Sequence, residues 1–227
     1  MASTVSRRGF LGAAGAAVAA GGAAQAQEAG AAEAKDRPIK IVAVACSPRR
    51  GKTTAQGLQI CLEAAREAGP NIETELVELA GLAIPIFDPA APVPADFEKV
   101  AAVLRDPKVR GIIIGTPVYF GSMSSLCKAF LDHCMALRKA GFALSGKVAG
   151  VLAVGGARNG GQELAIEGVQ AALMCQEMVI VGDGRPTAHT GATLVNPGTD
   201  DISGDEFGVQ TAKNLGRHVA EVALRLA

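Results

Sequence analysis

The stretch IKIVAVA, residues 39–45, is an almost unbroken apolar run. A strand carries apolar residues on both sides only when both its faces are buried, as inside a parallel sheet covered by helices. VRGIIIGT (109–116) and KVAGVLAV (147–154) repeat the pattern, and the former, the most apolar, belongs at the centre of the sheet. IETELVEL (72–79) alternates, so one of its faces is wetter and it lies near a sheet edge. MVIVGD (178–183) is the fifth strand. Helical periodicity fills the intervals, from about Thr54 to Ala68, Ala95 to Arg105, Met123 to Lys139, Gln162 to Cys175 and Asp205 to Leu226. Residues 81–94 read as a proline-rich loop and 184–204 as a long one. Five strands alternating with helices specify one doubly wound α/β domain with helices on both faces.

The 227 residues, 49% of them hydrophobic, suffice for one such domain and not for two. Basic and acidic residues balance at 22 each, so no nucleic-acid partner is expected. The first residues stand apart from the fold. SRRGFL (6–11) carries twin arginines, a soft Gly/Ala-rich apolar stretch follows, and Ala24-Gln25-Ala26 offers a small-residue cleavage site. This is the layout of a twin-arginine export signal. The expected division is a leader over 1–26, a disordered linker over 27–37, and the domain over 38–227. The mature protein is then periplasmic or otherwise exported. The apolar stretch is too short and glycine-interrupted for stable membrane insertion. Because this route carries folded passengers, a tightly held prosthetic group is favoured over free cytoplasmic nucleotide.

Ligands of open α/β sheets sit beyond the carboxyl ends of the strands, where the strand order reverses. The first such loop is CSPRRGKTT (46–54). Ser47, Thr53 and Thr54 offer hydroxyls, and the amides from Gly51 onward open a helix whose positive end suits a phosphate dianion. Arg49, Arg50 and Lys52 add charge, with Arg49 best placed to help and Arg50 solvated. Gly51-Lys52-Thr53 matches the end of the nucleoside-triphosphate P-loop, but Cys46 stands where that motif opens with glycine. The third and fourth strands end in Gly115-Thr116 and Gly155-Gly156, so neither supplies a Mg²⁺-binding carboxylate. The kinase reading fails.

TPVYFGS (116–122) is the second loop. Tyr119, the one tyrosine of the chain, and Phe120 are suited to lie against a flat heterocycle, with Pro117 fixing the turn and Gly121 letting amides approach. GGARNGGQE (155–163), the third, has four glycines in its first seven residues. Such a run makes sense where main chain touches a ring that side chains would push away, and Arg158 can face negative charge on a reduced flavin. Together the three loops describe an FMN site, with phosphate in the first and the ring between the other two.

SPRRGKTT, GTPVYFGSMSSLCKAFLDH, LRKAGFALSGKVAGVLAVGGARNGGQE and VIVGDG resemble the iron–sulfur flavoprotein branch of the flavodoxin-like NADPH-dependent FMN reductase family, over about residues 38–227. Flavodoxin-like NAD(P)H:quinone oxidoreductases are related. The resemblance implies a flavodoxin-like five-stranded parallel sheet in the order 2-1-3-4-5. It implies that Ser47, Arg49, Gly51, Thr53 and Thr54 hold the FMN phosphate. Pro117, Val118, Tyr119, Phe120 and Gly121 would touch one side of the ring. Gly155, Gly156, Arg158, Asn159, Gly160 and Gly161 would touch the other. It further implies a homo-oligomer, dimer or tetramer, with FMN near subunit contacts, and NAD(P)H as a possible donor. The branch carries a compact cysteine cluster between the second strand and the next helix, whereas AGLAIPIFDPAAPVPADF (80–97) has no cysteine. No iron–sulfur cluster is therefore expected.

The five cysteines, Cys46, Cys61, Cys127, Cys134 and Cys175, form no C-x-x-C pair and read as small buried hydrophobes. Cys127, His133 and Cys134 on one helix do not make the three or four converging ligands of a metal site. His133 reads as packing, His218 as a surface residue, and His189 as a loop residue able to approach the flavin or a neighbouring subunit. Asp200, Asp201 and Asp205 solvate their loop and cap the last helix. The expected function is an exported FMN oxidoreductase in which the flavin, and no side chain, carries the chemistry to a quinone-like or other acceptor. Two alternatives stay open: a flavodoxin-like electron carrier without nicotinamide turnover, and a flavin-free binding module.

Overall fold

A computed structural model describes residues 38–227; the expected leader and linker lie outside them. β1 (Ile39–Ala45) pairs in parallel with β2 (Ile72–Glu78) on one side and β3 (Val109–Tyr119) on the other. β3 pairs with β5 (Val148–Gly155), which pairs with β6 (Val179–Ile180), giving the order β2-β1-β3-β5-β6. This is the expected 2-1-3-4-5 arrangement, with the order reversing between β1 and β3. The alternating strand β2 is at the edge and the apolar β3 at the centre, as its sequence requires.

Burial explains the continuous apolar runs. Along β1, Ile41 and Ala43 face one way and Val42 and Val44 the other, and all four are fully buried. Val42 and Val44 join a core with Phe97 of α2 (Ala95–Arg105), Phe130 of α3 (Ser125–His133) and Ile166 of α5 (Gln162–Met174). Ile41 and Ala43 join a second core with Leu58 of α1 (Thr53–Glu67) and Leu215 and Val219 of α6 (Glu206–Leu226). α1 and α6 cross at Gly216, where any side chain would run into the Cys61 backbone.

Three features differ from expectation. Among the described residues the sheet has seven strands, because β4 (Ser122–Met123) folds back antiparallel on β3, and β7 (Ala192–Val195) pairs with β5. Only Val179 and Ile180 of the expected fifth strand pair with β5, at Val148 and Ala149. β7 rises from the expected long loop and takes over beside Leu152–Gly155. The expected helix over 123–139 begins at Ser125 and breaks at Cys134, where the amide is shared between Phe130 O and Leu131 O; α4 (Met135–Lys139) follows.

Candidate functional site

At the carboxyl end of β1 the chain turns through Ser47, whose Oγ accepts the Arg49 amide at 3.1 Å. Gly51 has φ +64°, a left-handed conformation that glycine adopts without strain, and leads into α1. The helix has no side-chain N-cap and no acidic residue in its first turn, so any anion that meets the positive end of its dipole comes from elsewhere in the chain or from a ligand. Thr53 and Thr54 are buried in that turn. The loop already takes up carboxylates. Gly51 donates its N–H to Glu78 Oε2 at 2.7 Å, and Arg49 Nη1 donates to both Asp200 carboxylate oxygens at 2.7 and 3.0 Å. Lys52 Nζ lies 3.2 Å from Asp200. Arg50 is not simply solvated, since it donates to Ala80 O at 2.7 Å.

The second loop is a hairpin. Val118 pairs with Met123 and Tyr119 with Ser122, leaving Phe120 and Gly121 as a two-residue turn with φ of +51° and +73°. Two positive φ values define the turn type that matches strand twist and favours Asn-Gly. The expected turn at Pro117 is therefore displaced, and Pro117 continues β3 opposite Val154. Phe120 is fully exposed and Tyr119 half-exposed. A bulky residue at positive φ is strained, and strain of this kind concentrates at sites of function.

In the third loop, Gly155 and Gly160 serve the loop's own packing. A Cβ on Gly155 would lie 2.6 Å from the Gln162 side chain, and one on Gly160 2.8 Å from Ala157 O. Gln162, buried at the start of α5, organises the turn: its Nε2 donates to Ala157 O and Leu194 O, and its Oε1 accepts from Gly160 N–H at 2.9 Å. Gly156 opens onto free space and Asn159 is exposed. Arg158 turns aside. It donates to Thr193 O at 3.0 Å, pairs with Asp205, and lies over the Phe207 ring.

The three loops are tied together by residues that local pattern does not announce. Ser124 Oγ donates to Cys46 O at 2.6 Å and accepts from Cys127 N–H at 3.0 Å, while Ser124 N–H donates to Thr116 Oγ1. The phosphate-type loop is thus fixed to the aromatic hairpin. Gly161 meets Gly121, which joins the hairpin to the glycine loop. Asn196 N–H donates to Gly155 O at 2.8 Å, bringing in the segment that carries Asp200. Two cavities, about 380 and 530 Å³, flank Arg158, and neither is lined by Tyr119 or Phe120. Tyr119 and Phe120 instead face solvent beside the point where hairpin and glycine loop meet.

Of the histidines, His133 packs as expected: it is buried, sits in ring contact with Phe87 and Phe97, and has Nε2 3.0 Å from Pro85 O. His218 is half-buried rather than a surface residue, with Nδ1 2.9 Å from Gly182 O. His189 lies against Phe207, and its backbone N–H bonds the buried Asp183. Asp205 caps α6 through Gly208 N–H at 3.0 Å. Four cysteines are buried and Cys175 is exposed, contrary to expectation for the last. Burial holds the Cys46 thiol well above its ordinary range, with Cys127 adding to the effect. Among the described residues no His, Cys, Asp and Glu side chains gather as a metal site, and no helix is long and apolar enough to cross a membrane.

The fold and its three edge loops define a flavodoxin-like protein. A WrbA-like flavodoxin from Agrobacterium tumefaciens superposes with TM-score 0.55 at 18% identity, covering 82% of this chain and 98% of that one. The apo form of an NADH:FMN oxidoreductase superposes with TM-score 0.58 at 24% identity, covering 81% and 89%. Residues 39–193 match the NADPH-dependent FMN reductase family. An iron-sulfur flavoprotein of Methanocaldococcus jannaschii is 37% identical over 192 residues, 81% of this chain and 97% of that protein. The chain belongs to the NADPH-dependent FMN reductase family, as an FMN-binding flavoprotein and FMN-dependent oxidoreductase. Its donor set fits FMN: an uncapped helix start with cations that already hold carboxylates suits a phosphate, and exposed aromatics opposite a bare glycine suit a flat ring.

Proposed function

We propose that the protein is an exported FMN oxidoreductase that takes electrons from a nicotinamide donor and passes them to a quinone-like acceptor. FMN, when bound, supplies the two-electron redox chemistry. Ser47, Arg49, Gly51, Thr53 and Thr54 hold its phosphate. Pro117 to Gly121 present one side of the ring site and the loop 155–161 the other, through Gly156, Asn159 and Gly161, with Gly155 and Gly160 shaping that loop and Arg158 engaged by Thr193 and Asp205. No side chain is assigned as acid or base. The arrangement carrying this reading is the meeting of three loops at one edge, with the phosphate-type helix start uncapped. The exposed aromatics can receive a flat substrate, and a neighbouring subunit of a dimer or tetramer covering part of them accounts for exposed Phe120. No iron–sulfur cluster is assigned, because residues 80–97 offer no thiolate.

The test is an anaerobic titration of the FMN-loaded protein with NADH or NADPH, followed by a quinone. Bleaching of the flavin band and its return on adding quinone supports the reductase. A yellow protein that neither nicotinamide bleaches points to an electron carrier, the reading that the twin-arginine sequence favours, since exported proteins seldom meet nicotinamides. Signal-dependent appearance in the periplasm tests the location.

A further inference from the structure

We propose that Asp200 is a built-in competitor for the phosphate cradle, and that FMN binding exchanges its carboxylate for the flavin phosphate and frees the strap 196–201. This rests on the assignment of FMN phosphate to the loop after β1. Asp200 lies about 150 residues along the chain from Arg49, yet it takes both oxygens to Arg49 Nη1 and sits 3.2 Å from Lys52 Nζ. These are cations of the cradle itself. Its carbonyl also accepts from Gln56 Nε2 at 3.2 Å, on the first turns of α1.

The strap is held on its other side by Asn196. Asn196 Oδ1 accepts the Gly198 and Asp200 amides at 3.0 and 3.1 Å, Asn196 Nδ2 reaches Asp200 Oδ1, and Asn196 N–H is bonded to Gly155 O. One carboxylate therefore bridges the phosphate-type loop and the start of the glycine loop. Asp200 itself has φ +58°, a left-handed backbone that Asp and Asn adopt more readily than other non-glycine residues, and the two Asn196 bonds hold it there. Arg49 and Lys52 hold the Asp200 carboxyl below the usual carboxylate range.

The chemistry favours exchange. A phosphate ester carries about −1.5 to −2 charges at neutral pH and three acceptor oxygens, against one charge on Asp200. The Arg49–Asp200 pair is partly solvent-exposed, and such pairs hold weakly. Riboflavin, which lacks phosphate, leaves Asp200 in place. Asp200 thus lowers affinity for FMN without touching affinity for riboflavin, and reports occupancy of the first loop to the strap beside the third.

The experiment uses the flavin-free full chain and two probes, FMN and riboflavin, followed by flavin fluorescence. Asn is nearly isosteric with Asp and tolerates positive φ, so Asp200→Asn keeps the strap's geometry. Asp200→Asn should tighten FMN binding about three- to fivefold and leave riboflavin unchanged. Asp201→Asn, the same charge change one residue on, should tighten FMN less than twofold. Hydrogen exchange at the Gly198 and Asp200 amides should speed up with FMN and stay unchanged with riboflavin. Equal or weaker FMN binding by Asp200→Asn, or an equal gain from Asp201→Asn, overturns the proposal while leaving FMN binding intact. If neither wild type nor variant binds any flavin, the FMN assignment falls and takes the proposal with it.

Discussion

Gly161 and Gly121 stand so close that a Cβ on Gly161 would fall 2.8 Å from Gly121 Cα, and Gly161 has φ +95°. No side chain fits that approach or that backbone. Gly161→Ala should destabilise the flavin-free protein by about 2–4 kcal/mol in urea unfolding. Gly156→Val adds a branched side chain where the space is open. Its stability should change by less than about 1 kcal/mol while FMN affinity drops at least tenfold. Equal loss of both in Gly156→Val would make the loop structural only.

Phe120 occupies the first position of a turn that prefers Asn-Gly. Phe120→Asn creates that pair, removes strain and an exposed aromatic, and should stabilise the flavin-free protein by about 0.5–1.5 kcal/mol. FMN binding should weaken at the same time, through loss of ring contact. A fall in thermal stability, measured without flavin, would refute the strain.

Ser124→Ala removes a helix cap and the donor to Cys46 O together. The expected cost is about 1–3 kcal/mol, with FMN binding weakened because the first loop loses its tie to the hairpin. Calorimetry and FMN titration of the same variant check both effects.

Lys147 is 8% exposed, donates to Asp106 O and Val109 O, and burial pushes its amine down to about 8 from 10.5. Between those two values the unfolded chain binds more protons than the folded one, so this residue's contribution to stability rises with pH across that window. The buried Cys61 thiol works the other way: its pKa is raised, so the unfolded thiol ionises first above about 8.5 and stability falls. The informative quantity is the difference between wild type and Lys147→Met. It should shift in favour of wild type by on the order of 1–3 kcal/mol from pH 8 to 10.5. A flat difference contradicts the depressed amine.

Much of this architecture was legible because β1, β3 and β5 are buried on both faces and therefore written as apolar runs. The first two loops were placed by their position after such strands. β7 was not, since four residues flanked by glycine and proline carry no periodicity, and only pairing with the upper half of β5 makes them a strand. The break at Cys134 has no glycine or proline to mark it. Arg158 has the sequence context of a residue free to face a ligand, but it is taken up by Thr193 O, on the strand that local pattern hides, and by Asp205 at the start of α6. Asp200 carries no local pattern that reveals an ion pair to Arg49, about 150 residues away, so the sequence alone leaves it a solvating loop residue. Gln162, directly after the glycine run, is the sequence signal of how that loop is organised, since a buried amide there must bond the loop's own backbone.

The divided outer margin of the sheet bears on how the protein comes into being. β5 emerges from the ribosome with its upper half unprotected, and residues 192–195 arrive only some forty positions later. α6, which braces α1 at Gly216, is later still. A nascent chain that has already produced all three edge loops still lacks Asn196, which fixes the third loop through Gly155 O, and the helix that braces α1. Cofactor loading should accordingly await the finished polypeptide, and stalling translation after α5 should yield chains that capture no flavin.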